Sequence, residues 1–224
     1  MKKVRISMTS WPPRIDNVKP AIESMLKQTV ALDSIELNLA KPNFVEMDRN
    51  GNEIANLPKE LVEFIDKNNN IHVNWVDRDT KTFKKLIPTL QKYSGEDFYV
   101  LTVDDDTLYK ENYVETMIDK LQKAKTDSFA MSTNLIIGGR MIYESTAFES
   151  DFWNRLTDEV IATGIDDFYI QCYLESHGKK LGHLSSRDTS FFNVFNEVKP
   201  LHDVYKATGF LDDAYVKIRR LFGK

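Results

Sequence analysis

Phe98-Tyr-Val-Leu-Thr-Val-Asp104-Asp105-Asp106-Thr-Leu-Tyr109 is the stretch on which the fold turns. Its first half, rich in apolar and aromatic residues, reads as a buried strand, and three carboxylates follow where that strand should end. Adjacent like charges repel, so a fold that keeps three together supplies a cation or open water. In open α/β sheets the carboxyl ends of parallel strands are where ligands bind, which suits a metal holding phosphate. The bland reading is a solvated turn with one Asp capping the next helix. Asp104 and Asp106 are the candidate ligands. In an extended segment, i and i+2 side chains point the same way, so one cation can feel both. Oxygen-only donors favour Mg²⁺ or Mn²⁺, with substrate phosphate completing the shell. Asp105 is expected on the other side, capping a backbone group or touching a sugar hydroxyl.

Working outward from that stretch, an α/β domain emerges. Val4 to Met8 is the first strand, stopped by Thr9-Ser-Trp-Pro-Pro13, where two prolines lack donors. Val18, Ala21, Ile22, Met25 and Leu26 share one helical face, with Asp16 or Asn17 near its start. Ile35 to Leu39 closes a βαβ unit, the building block of parallel sheets. The chain is then polar to about Asn70, except for a helix over Leu57 to Ile65 opened by Pro58. Ile71 to Val76 is a third strand ending in Asp77-Arg-Asp79, and Thr82 to Tyr93 has helical period despite Pro88.

Beyond the triplet, Tyr113, Val114, Met117, Ile118 and Leu121 form an amphipathic helix. A strand is expected over Ser128 to Thr133, a glycine bend at Gly138-Gly139, and helical spacing over Phe148 to Ala162. Phe168 to Ser176 reads as a helix stopped by Gly178, and Lys180 to Leu184 as a last strand. Ala214, Tyr215, Ile218, Leu221 and Phe222 make the apolar stripe of a terminal helix whose other face carries Lys217, Arg219 and Arg220. That basic face would suit an anionic membrane, or simply be the solvent side of a packed helix. Residues 1–224 read as one domain, with 1–110 as a ligand-binding half and 111–224 as an acceptor-side half with an irregular C-terminal segment.

Composition narrows the function classes. Of 224 residues, 42% are hydrophobic and 29% charged, ordinary globular values. A formal net charge of −4 and a pI near 5.7 argue against a broadly basic nucleic-acid surface, although a nucleic-acid acceptor is not excluded. The single cysteine, Cys172, forbids an intrachain disulfide and a cysteine-rich zinc cluster, and its apolar helical setting suits packing. With no leader or membrane-spanning segment in view, a cytoplasmic protein is the expectation. There is no glycine-rich phosphate loop and no Gly-x-Ser-x-Gly elbow.

Other residues carry chemistry of their own. Asp166 and Asp167 sit at a helix start, where the macrodipole stabilises negative charge; either could serve as a general base toward an acceptor hydroxyl. Asp77 and Asp79, followed by Lys84 and Lys85, supply acceptors for a base or ribose and cations for a diphosphate. Trp11 could stack on a nucleotide and Arg14 could clasp one. His183 and His202 are the remaining choices for a third metal ligand.

Taken in order, Ile6-Ser-Met-Thr-Ser-Trp-Pro-Pro-Arg-Ile15, Glu23-Ser-Met-Leu-Lys-Gln-Thr29, Lys84-Lys-Leu-Ile-Pro88, Thr102-Val-Asp-Asp-Asp106 and Asp166-Asp167 resemble a family of bacterial and phage-like GT-A glycosyltransferases. Many of its members are associated with capsular or other surface polysaccharide synthesis. The resemblance covers roughly residues 4 to 184. It implies a nucleotide-diphospho-sugar transferase fold, a mixed and mainly parallel sheet between helices. It further implies that Asp104 and Asp106 hold Mn²⁺ or Mg²⁺ against the diphosphate of a UDP- or GDP-sugar. Asp167 or Asp166 would be the base of an inverting displacement. Thr9, Trp11, Arg14, Asp79 and Lys84 would bind the nucleotide sugar, with Asp105 beside them. The acceptor implied is a glycan or lipid-linked glycan. Leu201-His202-Asp203 matches the family's terminal segment loosely. A nucleotidyltransferase of the same fold, the nearest rival, would carry a basic glycine-rich loop where Thr9 to Pro13 stands; a non-catalytic carbohydrate-binding relative is the other.

Overall fold

Each apolar run read as a strand in the first half of the chain pairs into one sheet. The structure is a computed structural model and describes residues 2–130, 140–183, 192–194 and 210–223. Its strands are β1 (Lys3–Thr9), β2 (Ser34–Ala40), β3 (Val45–Met47), β4 (Glu53–Ala55), β5 (Ile71–Val76), β6 (Phe98–Thr102), β7 (Thr107–Tyr109), β8 (Ser128–Ala130), β9 (Met141–Glu144), β10 (Leu181–His183) and β11 (Phe192–Val194). Its α-helices are α1 (Val18–Leu26), α2 (Lys41–Phe44), α3 (Lys59–Asp66), α4 (Ile87–Lys92), α5 (Tyr113–Ala124), α6 (Asp151–Asn154), α7 (Asp158–Thr163), α8 (Asp166–Ser176) and α9 (Phe210–Leu221).

Among the described residues, seven strands form the main sheet in the order β5-β2-β1-β6-β9-β8-β10. All its pairings are parallel except the two that β9 makes, with β6 and with β8. The chain leaves β1 toward β2 and β5, then crosses back to place β6 on the other side of β1. The switch point of the topology therefore lies between the carboxyl ends of β1 and β6, the place where open α/β sheets bind ligands.

Strand alternation sorts side chains to two faces. Val4, Ile6, Met8, Leu37 and Leu101 pack on one face against Ile22 and Met25 of α1 and Met117 and Leu121 of α5. Phe98, Val100 and Tyr143 pack on the other against Phe83, Leu90, Tyr169, Tyr173 and Ile218. On that second face β1 and β2 present polar residues instead. Glu36, fully buried, accepts hydrogen bonds from Tyr93 Oη at 2.6 Å, Asn74 Nδ2 at 2.7 Å and Lys92 Nζ at 2.8 Å. Burial alone would raise its pKa, but Lys92, Ser34, Tyr93 and Asn74 together hold it down at about 2. Ser7, Asn38 and Thr89 continue this polar seam toward the carboxyl end of the sheet.

Two helix expectations need correction. Thr82 to Tyr93 is not one helix but a 3-10 turn, Lys81–Lys85, followed by α4. Pro88 has no N–H to continue a helical ladder, so α4 restarts with proline in its first turn. Phe148 to Ala162 likewise divides into α6 and α7, where Thr157 caps α7 by accepting from the Val160 N–H at 3.3 Å. Residues Met131 to Gly139, with the glycine pair, lie outside the described residues.

Candidate active site

β6 ends at Thr102, so the acidic triplet lies in the turn between β6 and β7 rather than on an extended strand. The alternation that would align Asp104 with Asp106 does not operate there, and each carboxylate finds its own partners. Lys85 Nζ donates to Asp104 Oδ1 at 2.7 Å, and Arg140 Nε lies 3.1 Å from its Oδ2. Ser10 Oγ donates to Asp105 Oδ2 at 2.6 Å. Arg14 Nη1 donates to Asp106 Oδ2 at 3.0 Å and reaches Asp105 Oδ1 at 3.5 Å.

Sheet register explains these meetings. Ser7 pairs with Thr102, so Ser10 leaves β1 beside the triplet, and Arg14 follows on the 3-10 turn Pro12–Asn17. Thr102 pairs with Met141 in the antiparallel β6–β9 ladder, which sets Arg140, the residue just before β9, next to Asp104. Tyr109 closes the turn from behind, its hydroxyl accepting the Asp104 N–H at 2.8 Å. Charge is shared unequally. At Asp104 burial works to raise the pKa, but Lys85 and Arg140 outweigh it and hold the carboxyl below its usual range. Asp105 is 6% exposed, and burial, with Asp106 and Asp104 adding repulsion, pushes its pKa up despite Ser10 and Arg14.

The second acidic pair belongs to the same place. Asp166 and Asp167 occupy the first turn of α8, Asp166 buried at 6% exposure and Asp167 half-buried. Burial alone would push the Lys85 ammonium down, yet Asp104, Asp166 and Asp167 together hold its pKa above the ordinary range. One lysine is thus held in the field of both acidic clusters. Three residues per 3-10 turn set successive side chains about 120° apart, so Lys84 diverges from its neighbour. It is buried, bonds Asp79 and the Lys81 carbonyl (the latter at 2.8 Å), and also feels Asp166. Asp79, despite its own burial, is kept below the usual carboxylate range by Lys84, Asn43 and the Lys81 N–H.

The remaining sequence candidates are placed as follows. Thr9 ends β1, its hydroxyl tied to the Asn38 carbonyl at 2.7 Å. Trp11 stands 43% exposed at the mouth of the β1 loop, outside both cores. Asp79 and Lys84 form an ion pair at the β5 end of the site. His202 and the His183 side chain lie outside the described residues. Sequence reasoning missed Ser10 and Arg140 and singled out Lys84 rather than Lys85 for the nucleotide sugar. Arg140 is brought in by a pairing across 39 residues that no local spacing announces. A surface groove of about 790 Å³ between α1 and β7, lined by Glu23, Lys27, Leu108 and Lys110, adjoins the turn but includes neither the triplet nor the Asp pair of α8.

The donor set suits a hard divalent cation: carboxylate oxygens at a strand end, with no thiolate or imidazole among the described partners. Among the described residues no three His, Cys, Asp or Glu side chains form a closed cage.

No protein-family model and no curated relative matches the chain. Solved structures do. A crystal structure of residues 1–349 of Staphylococcus aureus TarS in complex with UDP matches with a TM-score of 0.57 at 12% identity, covering 98% of this chain and 69% of that one. The fold is GT-A. The same 1–349 segment in a second structure gives 0.57 at 11% identity, again with 98% and 69% coverage. A further TarS structure gives 0.58 at 12% identity and covers 92% of this chain, which spans only 38% of that longer protein. At these identities the likeness is one of fold.

Proposed function

We propose that this protein is a metal-dependent, inverting glycosyltransferase that moves a sugar from a nucleotide-diphospho-sugar to an acceptor hydroxyl. The observation that carries this reading is Lys85, which donates to Asp104 of the triplet at 2.7 Å and also feels Asp166 and Asp167 of α8. A strand-end acidic turn and a helix-start acidic pair that both act on one cation supply the two halves that sugar transfer needs. The UDP bound to TarS supports a nucleotide donor for the shared fold.

Asp104 and Asp106 would hold Mn²⁺ or Mg²⁺, which, when bound, offsets charge developing on the leaving diphosphate. Trp11 offers an exposed ring to the base, and Asp79 with Lys84 marks the edge of the nucleotide pocket. Asp167, the more exposed of its pair, accepts the proton from the acceptor hydroxyl. The acceptor oxygen then bonds to the anomeric carbon, and the bond from that carbon to the diphosphate oxygen breaks with its electron pair. Attack opposite the leaving group inverts the anomeric centre. Asp166 is buried and acts on Lys84 and Lys85. A surface or lipid-linked glycan is the acceptor class this reading favours. No helix among the described residues is long and apolar enough to cross a membrane.

Thermal-shift screening of UDP- and GDP-sugars with and without Mn²⁺ tests the reading, because a ligand that binds only the folded state raises its melting temperature. One sugar nucleotide should stabilise the protein in a Mn²⁺-dependent way. Asp106→Ala should keep the fold and lose that dependence together with transfer. An Asp106→Ala protein that transfers sugar at the wild-type rate in Mn²⁺ would overturn the metal assignment.

A further inference from the structure

Both oxygens of Asp104 face protein cations, Lys85 Nζ at 2.7 Å and Arg140 Nε at 3.1 Å. Both cations are largely buried, with side-chain exposures of 12% and 19%. They come from opposite sides of the site, Lys85 from the 3-10 turn ahead of α4 and Arg140 from the chain entering β9. A cation that is to use Asp104 must therefore displace one or both. A displaced ammonium or guanidinium in a dry site needs a new anion at once, since breaking a buried ion pair leaves a costly bare charge. The anion that arrives with the metal, on the reading above, is a diphosphate, and guanidinium groups suit phosphate oxygens.

We infer that Lys85 and Arg140 are diphosphate-binding residues parked on Asp104 in the ligand-free protein. Metal and nucleoside diphosphate consequently bind as an obligatory pair. The inference rests on the assignment of Asp104 as a metal ligand. Metal alone has to compete with the two cations resident on Asp104 and gives them nothing in exchange. Diphosphate alone meets cations already neutralised by Asp104 and finds three carboxylates nearby. Together, the metal takes the carboxylate and the freed cations take the phosphate oxygens, so no buried charge is left unpaired. Arg14, 3.0 Å from Asp106 Oδ2 and 3.5 Å from Asp105 Oδ1, is the resident cation of the other proposed ligand, and the exchange at Asp104 is read separately from it.

Isothermal titration of Mn²⁺ alone, UDP alone, GDP alone, and each nucleotide in saturating Mn²⁺ reads the coupling directly, without turnover. In the wild type, each component alone should bind at least about tenfold more weakly than in the presence of the other. Lys85→Met and Arg140→Met, tested separately, should move the two affinities in opposite directions. Mn²⁺ alone should bind severalfold more tightly as its competitor is removed, and the nucleotide in Mn²⁺ about tenfold more weakly as its partner is lost. Lys85→Arg keeps the charge and should preserve most of the coupling, which guards against a Met variant that folds poorly. Failure of either nucleotide to bind the wild type with Mn²⁺ would remove the functional reading and this inference with it. Joint binding that is intact in the wild type, with both affinities falling together in folded Lys85→Met and Arg140→Met proteins, would remove only the inference.

Discussion

At the scale of single residues, the two members of the α8 acidic pair differ by environment more than by chemistry. Both act on Lys85 and Tyr143, but Asp166 is buried and also acts on Lys84, whereas Asp167 is more open and also acts on Tyr215. Asp167→Asn should lower kcat by about 10²-fold or more, the scale of a lost general base, with donor affinity nearly unchanged. Asp166→Asn should instead weaken donor binding and turnover together through its lysine neighbours. Equal kcat in both variants, measured at saturating donor, would sink the assignment of the base. Trp11 makes a second contrast. At 43% exposure its removal costs the fold little, within about 0.5 kcal/mol. A ring stacked on a base contributes about 1 kcal/mol, so Trp11→Ala should weaken nucleotide binding severalfold by titration at an unchanged melting temperature.

At the scale of elements, the second face of the sheet is held by a polar seam as well as by apolar packing. Glu36 of β2 receives Lys92 and Tyr93 from the end of α4, and Arg5 of β1 lies 3.5 Å over the Tyr93 ring. Glu36→Ala strands those donors and should cost about 3 kcal/mol in urea unfolding at neutral pH. The pH dependence follows from the sign of the shift. With a folded pKa of about 2 against an ordinary 4.5, Glu36 contributes its stability in full above the ordinary value and loses it as pH falls toward 2. The gap between wild type and Glu36→Gln should therefore narrow between pH 5 and pH 2, roughly, as the wild-type carboxylate is protonated. A gap that stays constant across that range would mean the seam does not depend on charge. This seam also marks the limit of what the sequence made legible. Alternation in Val4–Met8 and Ile71–Val76 was readable because one apolar side chain in two announces a strand. The polar members, Arg5, Ser7, Glu36 and Asn38, look like solvent-facing positions until α4 is known to cover them. The same holds in the site. The triplet was legible from its strand, but its partners Ser10, Lys85 and Arg140 are set by register across three strands and by a 3-10 turn where helical period suggested a helix. Local spacing carries no record of either.

At the scale of the whole molecule, the site is assembled across the two cores. The triplet, Ser10 and Arg14 stand on the carboxyl ends of β1 and β6, above the core shared with α1 and α5. Asp166 and Asp167 stand on α8, which belongs to the opposite core and is buttressed from outside by α9. Tyr215 of α9 packs edge-on against Phe168 with ring centroids 4.5 Å apart, and Phe222, just beyond α9, meets Tyr169 at 5.3 Å. Ile218, fully buried, sits between them in sequence and in the core. Ile218→Ala should open a cavity and cost about 3 kcal/mol in denaturant unfolding, the range of a buried large-to-small change. On the function proposed above its effect should be lopsided, because the loosened core carries the Asp pair of α8 and not the β6–β7 turn. Below its melting temperature the variant should bind nucleotide and Mn²⁺ as the wild type does while kcat falls severalfold. Hydrogen exchange should rise first in α8 and α9 and stay low in β1, β2 and β6, since local opening follows the contacts that were lost. Nucleotide affinity and kcat falling in equal proportion, with exchange rising uniformly, would show that the two cores open as one unit and that the site has no separable donor half.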